Sequence, residues 1–207
     1  MFFIFKFSNR HIFNLFKMKT LIISIKIFLF FTVLTGIIYP LLITGISQVV
    51  FPAKANGSLI VKGNKTIGSE LIGQQFDSIL YFSSRPSAIS YNPLPSGGSN
   101  YGLTNSKLKD LVIQRKQKFI EFNKLDSTTV IPAEMLFASA SGLDPHISKQ
   151  AALLQVNRIK IARNFNEVQY QNLLQCVESQ TVTPQLLILG QERVNVILLN
   201  LELDKIQ

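Results

Sequence analysis

The segment IFLFFTVLTGIIYPLLITGISQVV, residues 27–50, decides how this chain is organised. It carries no charged side chain. As a helix rising about 1.5 Å per residue, it is long enough to cross a hydrocarbon core of about 30 Å. A small soluble domain rarely encloses so long an uncharged run. We therefore predict one transmembrane helix within residues 21–52, between a short segment 1–20 and a C-terminal domain 53–207.

The charges around this span predict its orientation. Residues 1–53 contain no acidic residue. Their lysines and arginines all precede the uncharged run 27–50: Lys6, Arg10, Lys17, Lys19 and Lys26. By the positive-inside rule, the N-terminus is expected in the cytoplasm and the C-terminal domain on the outer face. Lys54, Lys62 and Lys65 on the far side weaken this bias without reversing it.

Two features near the N-terminus leave alternatives open. Residues 53–55 form an A-x-A pattern that a signal peptidase could cleave, but the apolar run is much longer than a signal peptide's core of about 7–15 residues, which favours an uncleaved anchor. The first 17 residues are rich in Phe and basic side chains. They are either an interfacial segment or an upstream extension, with Met18 as the true start.

Composition excludes some function classes. Five of the 21 basic residues lie in residues 1–53, which hold no acidic residue. The rest of the chain has 16 basic and 12 acidic residues, an excess too small to indicate a nucleic-acid partner. The mean hydropathy of +0.26 agrees with a membrane protein. Cys176 is the only cysteine and cannot form an internal disulfide. Its apolar neighbours predict an inert buried thiol.

Periodicity predicts a mixed α/β or α+β domain after the span. A short strand is expected at 58–62 with a turn at 62–65, and irregular loop at 77–105. An amphipathic helix should begin with a cap near Thr104 and end by about Asp126, its basic face solvated or against anionic lipid heads. Further helices are expected at 148–163 and 167–177, and a central strand at 193–201. The residues of the first of these helices that should face inward are Ala151, Leu154, Ile159 and Ala162.

Small residues and a proline interrupt the apolar span. Pro40 lacks a backbone donor and should kink or loosen the helix, whereas Thr32, Gly36 and Gly45 would let another helix approach closely. The pattern favours packing against partner membrane helices.

The glycine-rich stretch SGGSNYGLTN, residues 96–105, has two interpretations. Consecutive backbone N–H groups could cradle a phosphate, which would make Ser96, Gly97, Gly98, Ser99 and Asn100 weak nucleotide-binding candidates. The same composition builds an ordinary turn before a helix, which is the interpretation that we favour.

Residues 139–148 contain Ser, Asp and His and invite a hydrolase interpretation. A catalytic triad usually draws its members from separate parts of a fold, so Asp144-Pro145-His146 is better explained as a turn in which Asp144 accepts backbone N–H bonds. His146 is not expected to bind a metal, because the only other histidine, His11, lies across the membrane.

Seven segments in order resemble one known family. They are TGIIYPLLITGISQVVFP (35–52), GSELIGQQF (68–76), YFSSRPSA (81–88), YNPLPSGGSNYGLTN (91–105), ASASGLDPHIS (138–148), AALLQVNRIKIAR (151–163) and GQERVNVILLNLELD (190–204). Together they resemble the C subunit of the bacterial Kdp-type potassium-transporting P-type ATPases. The Phe-rich first 17 residues lie outside this resemblance.

The resemblance implies a single-span, non-catalytic accessory subunit of a high-affinity potassium uptake complex in the bacterial cell membrane. Its partners would be a channel-like potassium-binding subunit, a P-type ATP-hydrolysing subunit and membrane lipid. It would stabilise the complex and raise the ATP affinity of the hydrolysing subunit. This chain would hold no cofactor or metal of its own, ATP and potassium binding to the complex.

The glycine-rich loop also resembles the SGGQ-type signature of ABC transporters, which would favour a direct nucleotide contact. The predicted orientation argues against that contact, because cytoplasmic ATP cannot reach the outer face. Any effect on ATP affinity must then pass through packed transmembrane helices.

Polar and small residues in the matching segments are candidates for partner contacts or for hydrogen bonds within the domain. They are Gly36, Tyr39, Pro40, Arg85, Asn100, Asp144, His146, Gln155, Arg158 and Asn195. Two other functions remain as alternatives: a membrane-anchored extracytoplasmic hydrolase and a solute-binding module.

Overall fold

The computed structural model describes residues 4–186 and 188–206, with side chains from Met18 onward. The chain divides into two units, Met1–Asn56 and Gly57–Gln207.

The first unit is helical. It contains α1 (Ile4–Val33), a π-helical segment (Leu34–Ile38), α2 (Tyr39–Val50) and the short α3 (Pro52–Ala55). Residues Met18–Val50 are long and apolar enough to cross a membrane, with a mean hydropathy of 2.5 over their most apolar window. The predicted single apolar helix is confirmed.

Pro40 accounts for the π-helical segment. Its ring nitrogen has no hydrogen, and the ring crowds the carbonyl four residues earlier, that of Gly36. The turn before it widens, and the Tyr39 N–H reaches the carbonyl of Leu34. Such five-residue bonds define a π turn. The loosening predicted from Pro40 thus takes the form of one wide turn with the helix continuing on both sides.

The second unit mixes helices and strands. A hairpin pairs β1 (Leu59–Lys62) with β2 (Lys65–Ser69), and the helices are α4 (Ser106–Asn123), α5 (Lys149–Ala162), α6 (Glu167–Ser179) and α7 (Val196–Leu203). Three short strands, β3 (His146–Ile147), β4 (Thr181–Val182) and β5 (Arg193–Asn195), form an antiparallel sheet in the order β3-β5-β4. A 3₁₀ turn spans Ala133–Met135. The α+β class predicted from the sequence is confirmed.

The prediction of a central strand at 193–201 is wrong. Only Arg193–Asn195 is extended, and a helix follows at once. The side chain of Asn195 accepts hydrogen bonds from the N–H groups of Ile197 and Leu198, which starts α7. Five of the eight residues of α7 are buried, so apolar side chains occur on most sides of the helix and the sequence shows no helical period. Tertiary packing overrides the preference of these side chains for β-strands.

Other boundaries differ less. The cap of α4 is Asn105, whose side chain accepts from Lys107 N–H, rather than Thr104. The helix ends at Asn123 because Lys124 takes a left-handed conformation with φ +54°. Residues 77–105, all of them described, form the predicted loop without helix or strand. The hairpin turn at 62–65 and the helices near 148–163 and 167–177 are confirmed.

The core lies between α5, α6, α7 and the three-stranded sheet. Ala151 and Ile159 of α5 are buried as predicted, whereas Leu154 and Ala162 are only half-buried. The polar Gln155 and Arg158 are buried on the same helix instead.

Candidate functional site

Side chains from two helices hold the irregular segment 78–83 against the core. Phe82 N–H donates to Asn200 Oδ1 (2.8 Å), and Asn200 Nδ2 donates to the carbonyl of Phe82 (3.0 Å). Gln155 makes the same pair of bonds with Ser83, at 2.7 and 3.3 Å. Buried backbone groups need hydrogen-bond partners, and these two side-chain amides supply the bonds that a neighbouring strand would supply in a sheet.

Arg158 is buried in the same region. Its guanidinium donates to the carbonyl of Tyr81 (2.9 Å), to the carbonyl of Ile79 and to Asn123 Oδ1 (2.9 Å). It also stacks over the ring of Phe122 at 4.5 Å. Burial lowers the pKa of Arg158 to about 10. Gln155 and Arg158, predicted as partner-contact or structural residues, therefore have a structural part here: they fix the course of the loop that leads to Arg85.

A second cluster joins three predicted residues. Arg85 Nη1 donates to Asp144 Oδ2 at 2.6 Å, and Asp144 Oδ1 accepts from the N–H of His146 at 3.0 Å and lies 3.3 Å from His146 Nδ1. Burial alone would raise the pKa of Asp144, but hydrogen bonds from His146 and the charge of Arg85 outweigh burial and lower it to about 2. The ionised carboxylate of Asp144 thus links its own loop to the loop of Arg85 through an ion pair. By accepting the His146 N–H it also forms the turn that the sequence predicts.

The serines next to this cluster have other partners. Ser141 Oγ accepts from Leu143 N–H, and Ser148 Oγ caps α5 by accepting from Ala151 N–H. In the part of the chain that the structure describes, no serine hydroxyl is hydrogen-bonded to His146. The Asp144–His146 pair therefore lacks the nucleophile contact that a triad requires.

The glycine-rich loop is tied to the same neighbouring loop. Gly97 N–H and the hydroxyl of Ser96 both donate to the carbonyl of Ser141 at 3.0 Å. A Cβ on Gly98 would lie 3.2 Å from the carbonyl oxygen of Ala140. The backbone N–H of Gly97 is therefore used within the domain, and α4 begins only at Ser106. Asn100 is exposed, with a left-handed φ of +54°.

This loop presents apolar side chains. Leu94 is 82% exposed and Leu103 is 91% exposed. Tyr101 and Leu103 line a pocket of about 210 Å³ together with Phe137. We call Tyr101, Leu103 and Phe137 the loop surface. Exposed apolar side chains gathered in this way are typical of protein contact surfaces.

The remaining predicted residues lie elsewhere. Gly36, Tyr39 and Pro40 are in or next to the π-helical segment, where a Cβ on Gly36 would meet no atom within 4 Å. Asn195 caps α7 and donates to the carbonyl of Glu70 at 2.7 Å. The structure brings together Arg85, Asp144 and His146, and separately Gln155 and Arg158.

Sequence reasoning missed several structural partners. Asn123 and Asn200 complete the hydrogen bonds around segment 78–83, and Arg163 binds Asp204 at 2.8 Å. An asparagine inside the apolar run VILLNLEL was a signal that could have found Asn200, since buried amides need partners. Cys176 is half-buried, and burial raises the pKa of its thiol to about 11. Within the described residues no cluster of three or more His, Cys, Asp or Glu could hold a metal ion.

One apolar N-terminal helix followed by an α+β domain defines the class of a membrane-anchored protein with a single candidate span. Comparison with known proteins identifies the family.

The family model described as KdpC, "K+-transporting ATPase, c chain", matches residues 21–205. The chain is 47% identical over 191 residues to the potassium-transporting ATPase KdpC subunit of Trichlorobacter lovleyi, covering 90% of this chain and 98% of the relative. It is 46% identical to that of Allorhizobium ampelinum (87% and 93% covered) and 47% identical to that of Herpetosiphon aurantiacus (86% and 91%). The chain belongs to the KdpC family, and it is a subunit of a K⁺-transporting ATPase.

Proposed function

We propose that this chain is a non-catalytic accessory subunit that stabilises the assembly of an ATP-driven high-affinity potassium uptake complex and acts as a catalytic chaperone, raising the ATP affinity of the hydrolysing subunit. Its partners are a channel-like potassium-binding subunit, a P-type ATP-hydrolysing subunit and the surrounding lipid. It holds no cofactor or metal itself, and ATP and potassium bind elsewhere in the complex. Family membership over residues 21–205 is the observation that carries the proposal.

The charge distribution supports the orientation. With the basic residues before the span in the cytoplasm of a bacterium, the domain after the span lies on the outer face of the cell membrane. Cytoplasmic ATP is then out of reach of the glycine-rich loop. The ATP effect must be a coupling through membrane helices in contact, and the π turn at Leu34–Ile38 lies in the helix that would carry it.

The loop surface is the part of the domain that we assign to the channel-like subunit. Leu103 is 91% exposed, and the loop that carries it is held by the Gly97 and Ser96 contacts with Ser141 described above. A preorganised loop loses little conformational entropy on binding, so its apolar side chains can contribute most of their burial to affinity. This assignment fits an accessory subunit that acts by contact.

Co-purification of the detergent-extracted complex tests this proposal. A tagged wild-type chain should extract with two larger membrane subunits. Leu103→Asp should lower their recovery about tenfold, because a buried charge at a contact costs more than about 1.4 kcal/mol. Complexes that retain the variant should need more ATP for half-maximal hydrolysis.

Val168→Asp is the matched control. Val168 is 70% exposed and lies in the first turn of α6, where a carboxylate is favourable for the helix. This variant should co-purify as well as wild type. Equal recovery of the partners with both variants would contradict the assignment of the loop surface. An ATP affinity of the hydrolysing subunit that is the same with and without this chain would contradict the chaperone function.

A further inference from the structure

A cleft of about 520 Å³ lies beside α4, apart from the loop surface. Its walls are residues of the segment 75–91, one face of α4 and Met135. Pockets of about 300–1,000 Å³ are the usual size for small-molecule sites. The cleft is therefore large enough for an organic molecule.

Three cations line this cleft: Arg85, Arg115 and Lys118. Asp77 is the only acidic residue among its lining residues, and it accepts a hydrogen bond from Gln75 at 2.6 Å. Arg85 is paired with Asp144, but neither Arg115 nor Lys118 forms an ion pair with a described residue. The cleft thus carries positive charge that the domain does not neutralise.

Arg115 is held in place as a donor. Its Nη1 donates to the carbonyl of Leu136 at 2.9 Å, which fixes the guanidinium and leaves its other N–H groups for a second acceptor. Burial lowers the pKa of Arg115, as expected for a cation that has lost water without gaining a carboxylate. Lys118, one helical turn further along α4, adds a mobile charge to the same face.

The other walls are aromatic and hydroxylic. Phe119 and Phe122 of α4 and Tyr91 of the facing loop supply apolar surface, and Ser83 and Ser90 supply hydroxyl groups. The Nε of Arg85 is buried without a hydrogen-bond partner, the one such side-chain atom found in the described residues.

We propose that this cleft binds a molecule that carries a phosphate group on an apolar or aromatic body. The phosphate lies between Arg115 and Lys118, since arginine forks and lysine charges are the usual ligands of phosphate oxygens. The apolar body lies against Phe119 and Phe122. Two sources share this chemistry, a free phosphate ester and the headgroup region of an anionic phospholipid. The inference is independent of the accessory function, whose test does not involve Lys118.

Phenyl phosphate is the probe, titrated by calorimetry into the full chain in neutral detergent at low salt. We expect saturable binding with a Kd of about 1 mM or lower, weaker binding of inorganic phosphate, and loss of affinity at high salt. Lys118→Gln should raise the Kd about tenfold, the effect of one charge-assisted hydrogen bond. Asp77→Asn should lower the Kd, because it removes the only carboxylate that lines the cleft.

Lys116→Gln is the matched control. Lys116 lies on the same helix, is exposed and does not line the cleft. Its replacement should leave the Kd within about twofold of wild type. No saturable binding up to about 10 mM, or equal losses with both lysine variants, would overturn the proposal.

Lipid nanodiscs identify the source of the phosphate. The titration is repeated with the full chain in nanodiscs of phosphatidylcholine alone and of phosphatidylcholine with phosphatidylglycerol. If phosphatidylglycerol abolishes the Lys118-dependent binding of phenyl phosphate, the site takes a lipid phosphate. If binding is unchanged, it takes a free phosphate ester, and either result supports a phosphate site.

Discussion

Arg158 is a buried cation whose partners are mainly carbonyl groups rather than a carboxylate. It is 3% exposed and binds the carbonyls of Ile79 and Tyr81 and the side chain of Asn123. A side chain with five N–H donors suits this position, because several acceptors of an irregular segment converge on it. The cost of burying the charge is offset by hydrogen bonds to each of these oxygens.

We predict that Arg158→Met destabilises the domain by about 3 kcal/mol, because it leaves buried carbonyls without donors. For a chain of this size, the thermal midpoint should fall by about 6–12 °C. Circular dichroism of the full chain in detergent measures it. Lys116→Met removes a charge from exposed surface and should leave the midpoint nearly unchanged. A similar midpoint for both variants would show that segment 78–83 does not depend on Arg158.

The helices show how single residues set the limits of an element. Pro40 widens one turn of the apolar helix, and Asn195 starts α7 by accepting two backbone N–H bonds. The start of α4 depends in the same way on Asn105, whose Oδ1 lies 2.9 Å from Lys107 N. A cap of this kind satisfies an N–H group that the helix itself cannot pair.

Asn105→Ala should destabilise the domain by about 1 kcal/mol, the usual cost of losing an N-cap side chain. The thermal midpoint of the full chain should fall by about 2–4 °C. Thr104→Ala, one residue earlier and exposed, should change it by less than half as much. A larger effect of Thr104→Ala than of Asn105→Ala would contradict the observed cap.

At the scale of the whole molecule, an apolar helix precedes a domain that contains all of the chain's acidic residues. The span has 33 residues from Met18 to Val50, more than the roughly 20 needed to cross a bilayer. The basic residues near its start set the orientation that we propose, and that orientation decides whether nucleotide can reach the domain.

Alkaline phosphatase fused after Gln207 should be active, because this enzyme folds only outside the cytoplasm, where its disulfides form. A fluorescent reporter sensitive to export, fused at the same position, should stay dark. Fusions after Lys19, before the uncharged run of residues 27–50, are the control and should give the opposite pair of results. A Gln207 fusion that is fluorescent and lacks phosphatase activity would reverse the topology and would allow cytoplasmic ATP to reach the glycine-rich loop.

Local pattern alone sufficed for features that depend on neighbouring residues. The uncharged run predicted the apolar helix, the helical period predicted α4, α5 and α6, and prolines and glycines predicted the loop at 77–105. In the site, the turn formed by Asp144 was predictable because an Asp before a proline offers acceptors to nearby N–H groups.

Only the tertiary structure decided what depends on residues far apart in sequence. The helix at Val196–Leu203 hides its period because it is buried on most sides, so the sequence favoured a strand. Asn200 bonds Phe82 across 118 residues of sequence, and Gln155 bonds Ser83 across 72. Arg115 and Lys118 face a cleft that is completed by a loop preceding them in the chain. Sequence by itself determined the class, an apolar helix before an α+β domain, because periodicity and charge act locally, and its matching segments indicated the KdpC family. The fold decided which polar groups are paired and which charges remain free, because burial is a property of the packed chain.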